Sequence, residues 1–157
     1  MNYRMISKIL GRVMGVEAAL MLGPVITAAV YGESAVSFLL TMAIAAVLAV
    51  LLTLPKLKHG DIYAREGFVS VALSWLLMSL VGALPFVFSG EIPSYVDAFF
   101  EIVSGFTTTG ASILVNVEEL SNASLLWRSL SHWIGGMGVL VFIMAVLPLS
   151  EERSMHI

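Results

Sequence analysis

The chain has no cysteine and few charged residues, and both absences narrow its class. Without a thiol among its 157 residues it can form neither a disulfide framework nor a thiolate metal site. Only 12% of its residues are charged, about half the fraction usual in soluble domains. The net charge of −3 gives no electrostatic reason to expect a nucleic-acid partner. No phosphate-binding Gly-Lys-Ser/Thr loop and no nucleophile–base pair is visible, so the sequence does not predict an enzyme.

Long apolar runs are the most prominent feature of the sequence. Hydrophobic residues make up 59% of it, and its mean hydropathy is +0.95. Runs at 9–31, 35–54, 68–88 and 125–149 are each long enough to cross a hydrocarbon core of about 30 Å as a helix. We therefore predict an all-α membrane protein. Gly23-Pro24 predicts a kink in the first span.

Polar segments divide the chain. We predict an N-terminal two-helix transmembrane hairpin at 1–55, a cytoplasmic loop at 56–67, a helix–pore-loop–helix repeat at 68–149 and a cytoplasmic tail at 150–157. The segment 56–67 is the most polar in the chain and carries Lys56 and Lys58.

A shorter apolar segment precedes the last span. Ser94 to Val103 predicts a helix with Ser94 as its N-cap and Asp97 three residues on, in a variant of the capping box. Up to Gly105 it would measure about 18 Å, too short to cross the membrane. We therefore expect this segment to be re-entrant, entering and leaving the membrane on the outer side.

Basic residues predict the orientation, because cytoplasmic loops of membrane proteins are enriched in them. With a cytoplasmic N-terminus and a re-entrant segment, Arg128 is the single basic residue outside. The inside then holds Arg4, Lys8, Arg12, Lys56, Lys58, Arg65 and Arg153. A Ser94–Val103 segment that crossed the membrane would leave a weaker bias, so both length and charge favour the re-entrant arrangement.

The uncharged stretch 104–112 follows the short helix and is rich in Thr and Gly. Backbone carbonyls of an extended strand can replace the hydration shell of K⁺, and such backbone is tolerated at membrane depth where it lines an ion-filled cavity. Thr favours extended backbone and adds a hydroxyl oxygen, while Gly110 can adopt a positive φ. The alternative is that Thr107–Gly110 is an ordinary turn between two helices.

Two long motifs, DAFFEIVSGFTTTGA at 97–111 and WRSLSHWIGGMG at 127–138, resemble the membrane subunit of Trk/Ktr-type potassium uptake systems (the TrkH family). REGF at 65–68 and GALPF at 82–86 also resemble that family. The resemblance implies four linked helix–pore-loop–helix repeats around one pore in the cell membrane, with no cofactor besides the transported potassium ion. It implies that Thr108 and Thr109 bind K⁺, that Gly110 is the filter glycine, and that Thr107 and Ala111 flank the site. It also implies a cytoplasmic nucleotide-binding regulatory subunit as a partner.

The chain departs from this pattern by containing one pore repeat, and a single repeat cannot surround an ion. We expect an N-terminal portion of a longer protein, rather than several assembled copies, because each copy would carry the additional hairpin. The alternative function is a non-conducting or homo-oligomerising membrane module that assembles with or regulates a cation channel.

Several polar residues within or near the spans have two interpretations each. Glu17 is an intramembrane carboxylate, for which snorkelling or a pair with Arg12 is the expected explanation. Asp97 and Glu101 share one face of the short helix and could attract cations to an outer vestibule. For Glu101 we favour a pair with Arg128.

Three further features of the last span have structural explanations. His132 is expected to hydrogen-bond a neighbouring helix. Trp127 is placed well for the outer interface. Gly135, Gly136 and Gly138 predict close helix packing rather than a hinge.

Overall fold

The computed structural model describes residues 3–54 and 64–151, and the regular structure within these ranges is helical. This confirms the predicted all-α class. A short 3₁₀ turn spans Val117–Glu119. The helices, in chain order, are α1 (Tyr3–Leu20), α2 (Leu22–Tyr31), α3 (Val36–Thr53), α4 (Ala64–Gly82), α5 (Leu84–Ser89), α6 (Tyr95–Phe106) and α7 (Asn122–Glu151).

Three helical segments among the described residues are long and apolar enough to span a membrane: 3–31, 36–53 and 66–89. They correspond to the first three predicted spans. The fourth corresponds to α7, whose 30 residues extend about 45 Å. The predicted kink in the first span is confirmed at Met21, between α1 and α2. Pro24 has no N–H to donate to the carbonyl of Leu20, and α1 ends at that residue.

Several predicted boundaries differ from the structure. The helix α4 begins at Ala64, so the end of the segment predicted as a loop is helical. The short helix continues to Phe106, three residues beyond Val103, and α7 extends to Glu151. The remainder of the predicted loop, 55–63, and the tail from 152 onwards lie outside the described residues.

The N-terminal hairpin is closed by tight packing of α1 against α3. A methyl group on Gly11 would lie 2.7 Å from Thr53 Cγ2 and 2.9 Å from the carbonyl oxygen of Ala49, so only Gly fits there. Ser7 Oγ donates to the carbonyl oxygen of Leu52 at 2.8 Å. These contacts fix the antiparallel register of the two helices.

The hairpin packs against the predicted pore repeat, with α1 on α4 and α2 on α7, while α6 lies between α4 and α7. Trp127 of α7 is at the centre of this core and is fully buried. Its Nε1 donates to the carbonyl oxygen of Gly82 at 2.9 Å, and its ring meets that of Phe106 edge-on. The expectation that Trp127 marks the outer membrane interface is therefore wrong.

Candidate selectivity filter

The short helix α6 has the predicted N-cap and, as predicted, is too short to cross the membrane. It contains 12 residues and is therefore about 18 Å long. Ser94 adopts an extended conformation, and its Oγ accepts a hydrogen bond from the backbone N–H of Asp97 at 3.4 Å. Ala98, Ile102 and Phe106 recur at every fourth position and form its buried face. This stripe seats α6 against α4 and α7 with its C-terminus pointing into the fold.

Three overlapping backbone hydrogen bonds connect the end of α6 to the residues that follow it. The N–H groups of Thr107, Thr108 and Thr109 donate to the carbonyl oxygens of Val103, Gly105 and Ser104 at 2.8, 2.9 and 2.9 Å. They satisfy carbonyls at the end of the helix that would otherwise have no partner. The first residues of the candidate filter are thus held by the helix that precedes them.

Two residues of the stretch adopt positive φ. Gly110 has φ of 74°, which confirms the predicted left-handed glycine. Thr108 has φ of 56° and is the only non-glycine residue with positive φ in the described ranges. That conformation is an outlier for a β-branched side chain, and such strain is concentrated at functional sites. The sequence gives no signal for it, because Thr disfavours this conformation intrinsically.

Side-chain hydroxyl groups also form hydrogen bonds that stabilise this stretch. Ser104 Oγ donates to the carbonyl oxygen of Ala111 at 2.6 Å, and Thr107 Oγ1 donates to that of Val103 at 2.7 Å. The hydroxyls of Thr107 and Thr109 lie 2.8 Å apart. Residues 107–113 are nevertheless exposed on the surface of this chain. An exposed, non-helical stretch that follows a half-length helix is the arrangement expected of a backbone that lines a pore.

Glu101 anchors the outgoing end of the stretch. Its carboxylate is 1% exposed and accepts a hydrogen bond from Arg128 Nε at 2.6 Å, which confirms the predicted ion pair. It also accepts from Ser112 Oγ at 2.9 Å and from the N–H of Ile113 at 3.1 Å. Of the two roles that the sequence leaves open for Glu101, the geometry favours pairing, whereas Asp97 is exposed.

Glycines of α7 form a close-packed seat for Phe106 at the end of α6 and for Trp75 of α4. A methyl group on Gly135 would lie 2.3 Å from the carbonyl oxygen of Phe106, and one on Gly138 would lie 2.7 Å from the ring of Trp75. The predicted close packing is confirmed at these two positions. Gly136 differs, since a methyl group there would meet only Thr108 Cγ2 at 3.9 Å.

Two carboxylates hold the N-terminus of α7, and the sequence predicts neither contact. Glu33 accepts from the N–H groups of Asn122 at 2.9 Å and Ala123 at 3.1 Å. Glu91 accepts from the N–H of Ser121 at 2.6 Å and from the hydroxyl of Ser124. Negative charge at the start of a helix is favourable because the first N–H groups have no intrahelical partner.

Opposing effects act on the pKa of Glu33. Partial burial raises the pKa of this carboxyl, but the hydrogen bonds from Asn122 and Ala123 outweigh burial and lower it overall. The carboxylate therefore binds α7 in its charged form. Glu33 lies in the turn between α2 and α3, so this contact joins the N-terminal hairpin to the pore repeat.

Two of the remaining predictions are wrong. Glu17 neither snorkels nor pairs with Arg12: it is fully buried, and within the described residues neither of its carboxylate oxygens has a hydrogen-bond partner. Five residues rotate a helix by about 140°, which places Arg12 on the opposite side of α1. His132 Nδ1 lies 2.8 Å from the carbonyl oxygen of Arg128, in its own helix rather than a neighbouring one.

Comparisons with known proteins agree with this arrangement. A family model described as "TrkH: Cation transport protein" matches residues 34–157. The Trk system potassium uptake protein TrkH of Escherichia coli (strain K12) is 40% identical over 161 residues, which cover 100% of this chain and 33% of that protein. TrkH of Vibrio parahaemolyticus is 35% identical over 95% of this chain and 31% of its own length.

A solved structure supports the same family relationship. The crystal structure of the potassium transporter TrkH from Vibrio parahaemolyticus matches with a TM-score of 0.86 and 36% identity, covering 94% of this chain and 32% of the other. The chain thus spans about a third of the length of the relatives that it matches.

Proposed function

The chain belongs to the TrkH family of cation transport proteins, and from that premise we propose that it forms the first pore repeat of a potassium uptake transporter. The observation that carries this proposal is the exposed stretch 107–113, which follows a half-length helix and contains left-handed residues at Thr108 and Gly110. An ordinary turn between two helices would need neither strain at Thr108 nor a buried anchor such as Glu101.

Potassium would be bound by oxygen atoms of this stretch. Thr108 and Thr109 would supply carbonyl oxygens, and their hydroxyls are further potential ligands, with Thr107 and Ala111 flanking the site and Gly110 turning the chain. Carbonyl oxygens can replace the hydration shell of K⁺, and the reaction is permeation without any covalent step. The C-terminal end of α6 would add partial negative charge near the cation path.

One filter strand offers oxygens from one side of an ion. We propose that further strands complete the ring, supplied by later repeats of a longer protein or by other copies. The transporter would lie in the plasma membrane with the N-terminus of this chain in the cytoplasm, as the distribution of Lys and Arg predicts. A cytoplasmic nucleotide-binding regulatory subunit is a proposed partner. Asp97, exposed at the start of α6, is a proposed contributor to an outer vestibule.

The test compares two glycines of the same conformation. Gly110 and Gly90 have φ of 74° and 77°, and a methyl group on either would meet no atom within 4 Å. Replacing either by Ala therefore adds a similar left-handed strain, on the order of 1–2 kcal/mol. Only Gly110 lies in the candidate filter.

We expect the complete protein with Gly110→Ala to lose its preference for K⁺ over Na⁺ in proteoliposome flux, while Gly90→Ala retains it. Equal selectivity in both variants would contradict the filter assignment. A complete protein without any K⁺ flux would instead favour the non-conducting module.

A further inference from the structure

Glu17 differs from three other buried or partly buried carboxylates of the described residues, because it accepts no hydrogen bond. Glu33, Glu91 and Glu101 each accept several hydrogen bonds. Glu17 is fully buried and its two oxygens have no hydrogen-bond partner within the described part of the chain. Buried polar groups are nearly always paired, so an exception of this kind requires an explanation.

The position of Glu17 excludes a partner from elsewhere in a larger assembly. Its side chain is enclosed by this chain alone, with an exposed fraction of 0%, so a later repeat or another copy cannot reach it in this conformation. It lies in the buried stripe of α1, beside the apolar residues Met14 and Ala18. A hydrophobic residue would satisfy that packing better, and packing therefore does not account for a carboxyl group.

No titratable side chain among the described residues forms a hydrogen bond with Glu17. Helices α3 and α5 contain no titratable side chain, and Tyr31 ends α2. In α4 they are confined to the first turn, about 24 Å along the helix from Gly82. In α6, Tyr95 donates its hydroxyl to the carbonyl oxygen of Leu80, Asp97 is exposed, and Glu101 is paired with Arg128. Within α1 the nearest is Arg12, which is exposed on the other side. In α7, Arg128 is paired with Glu101, and His132 Nδ1 lies 2.8 Å from the carbonyl oxygen of Arg128.

A carboxyl group in such surroundings is far less costly as the neutral acid than as an isolated anion. Burial of an unpaired carboxylate in a medium of low dielectric constant carries a large penalty, and the group avoids it by binding a proton. Ionisable residues inside membrane spans are functional candidates by default for this reason.

We propose that Glu17 is a proton-binding site inside the membrane whose ionisation state controls the geometry of the filter strand. Glu17 Oε1 lies 3.1 Å, and Phe106 Cε2 3.4 Å, from the point where a methyl group on Gly82 would be. Phe106 is the last residue of α6, and its carbonyl rests on Gly135. Thr107, the next residue, begins the candidate filter. Loss of the proton would create an unpaired anion beside Phe106 and disturb this seat.

This inference rests on the proposed function for its effect on transport, but proton binding can be measured separately. The complete protein, labelled with ¹³C-carboxyl glutamate, is examined by infrared difference spectroscopy at neutral pH. We expect the carbonyl stretch of a protonated glutamic acid in the native protein, its loss in Glu17→Gln, and its retention in Glu118→Gln, which removes an exposed carboxylate. Glu17→Asp provides a second variant, because an aspartic acid carries no ¹³C label and its carbonyl stretch would therefore absorb at a different frequency.

Proteoliposome flux then tests the link to the filter. We expect K⁺ flux through the native protein to fall as the pH of both compartments is raised, and Glu17→Gln to lose this dependence. Absence of the infrared band, or the same pH dependence in native protein and Glu17→Gln, would overturn the proposal. A protein that shows the band but conducts no K⁺ at any pH would contradict the proposed function and the control of conduction, while the proton-binding site would stand.

Discussion

The contact between Gly135 and the carbonyl of Phe106 allows the seat of the candidate filter to be tested with a single methyl group. In Gly135→Ala the new Cβ would lie 2.3 Å from the carbonyl oxygen and 2.8 Å from the carbonyl carbon of Phe106. Van der Waals contacts between such atoms are normally about 3.5 Å. Phe106 must therefore move by roughly 1 Å, and it immediately precedes Thr107.

The adjacent glycine provides the control. In Gly136→Ala the new Cβ would meet only Thr108 Cγ2, at the ordinary contact distance of 3.9 Å. Both substitutions gain about 1 kcal/mol of helix propensity, but only Gly135→Ala incurs an overpacking cost of about 1–3 kcal/mol. Gly136→Ala should consequently be at least as stable as the native protein, and Gly135→Ala less stable than Gly136→Ala.

Transport gives the more specific measurement. We expect Gly135→Ala to reduce the ratio of K⁺ to Na⁺ flux in proteoliposomes, because carbonyl ligands displaced by a fraction of an ångström no longer match the ion. Gly136→Ala should retain the native ratio. If both variants kept native selectivity and thermal stability, the contact of Phe106 with α7 would not position the candidate filter.

Two further predictions concern the carboxylates. Arg128→Gln leaves Glu101 buried without its cation and should destabilise the protein by about 3–5 kcal/mol. In thermal unfolding, the double variant Arg128→Gln with Glu101→Gln should recover part of this lost stability. A double variant less stable than Arg128→Gln alone would argue against the pair. Glu33→Gln should destabilise the protein at neutral pH, because hydrogen bonds from α7 lower the pKa of Glu33. That stabilisation is complete above the ordinary glutamate pKa of about 4.3 and is lost as pH falls through the lower, folded-state value. Melting temperatures of native protein and variant should therefore converge in acid, and a pH-independent difference would contradict the assigned role.

The features predicted correctly from the sequence are those that depend on neighbours in the chain. The short helix α6, its cap at Ser94 and the left-handed turn at Gly110 depend on residues within a few positions of one another. The spans follow from the length of apolar runs measured against the membrane thickness. The pair of Glu101 with Arg128 was predictable for another reason, because Arg128 was the only basic residue placed on the outer side.

Only the tertiary structure decided which long-range partners complete the site. Glu33 accepts a hydrogen bond from the N–H of Asn122 in α7, 89 positions further along the chain. No local sequence pattern predicts such a contact. The strain at Thr108 opposes the intrinsic preference of its side chain and is held by surrounding hydrogen bonds. The burial of Trp127 and Glu17 depends on how α1, α4 and α7 face one another. Periodicity indicates that a helix has a buried side, but the partner helices determine what that side meets.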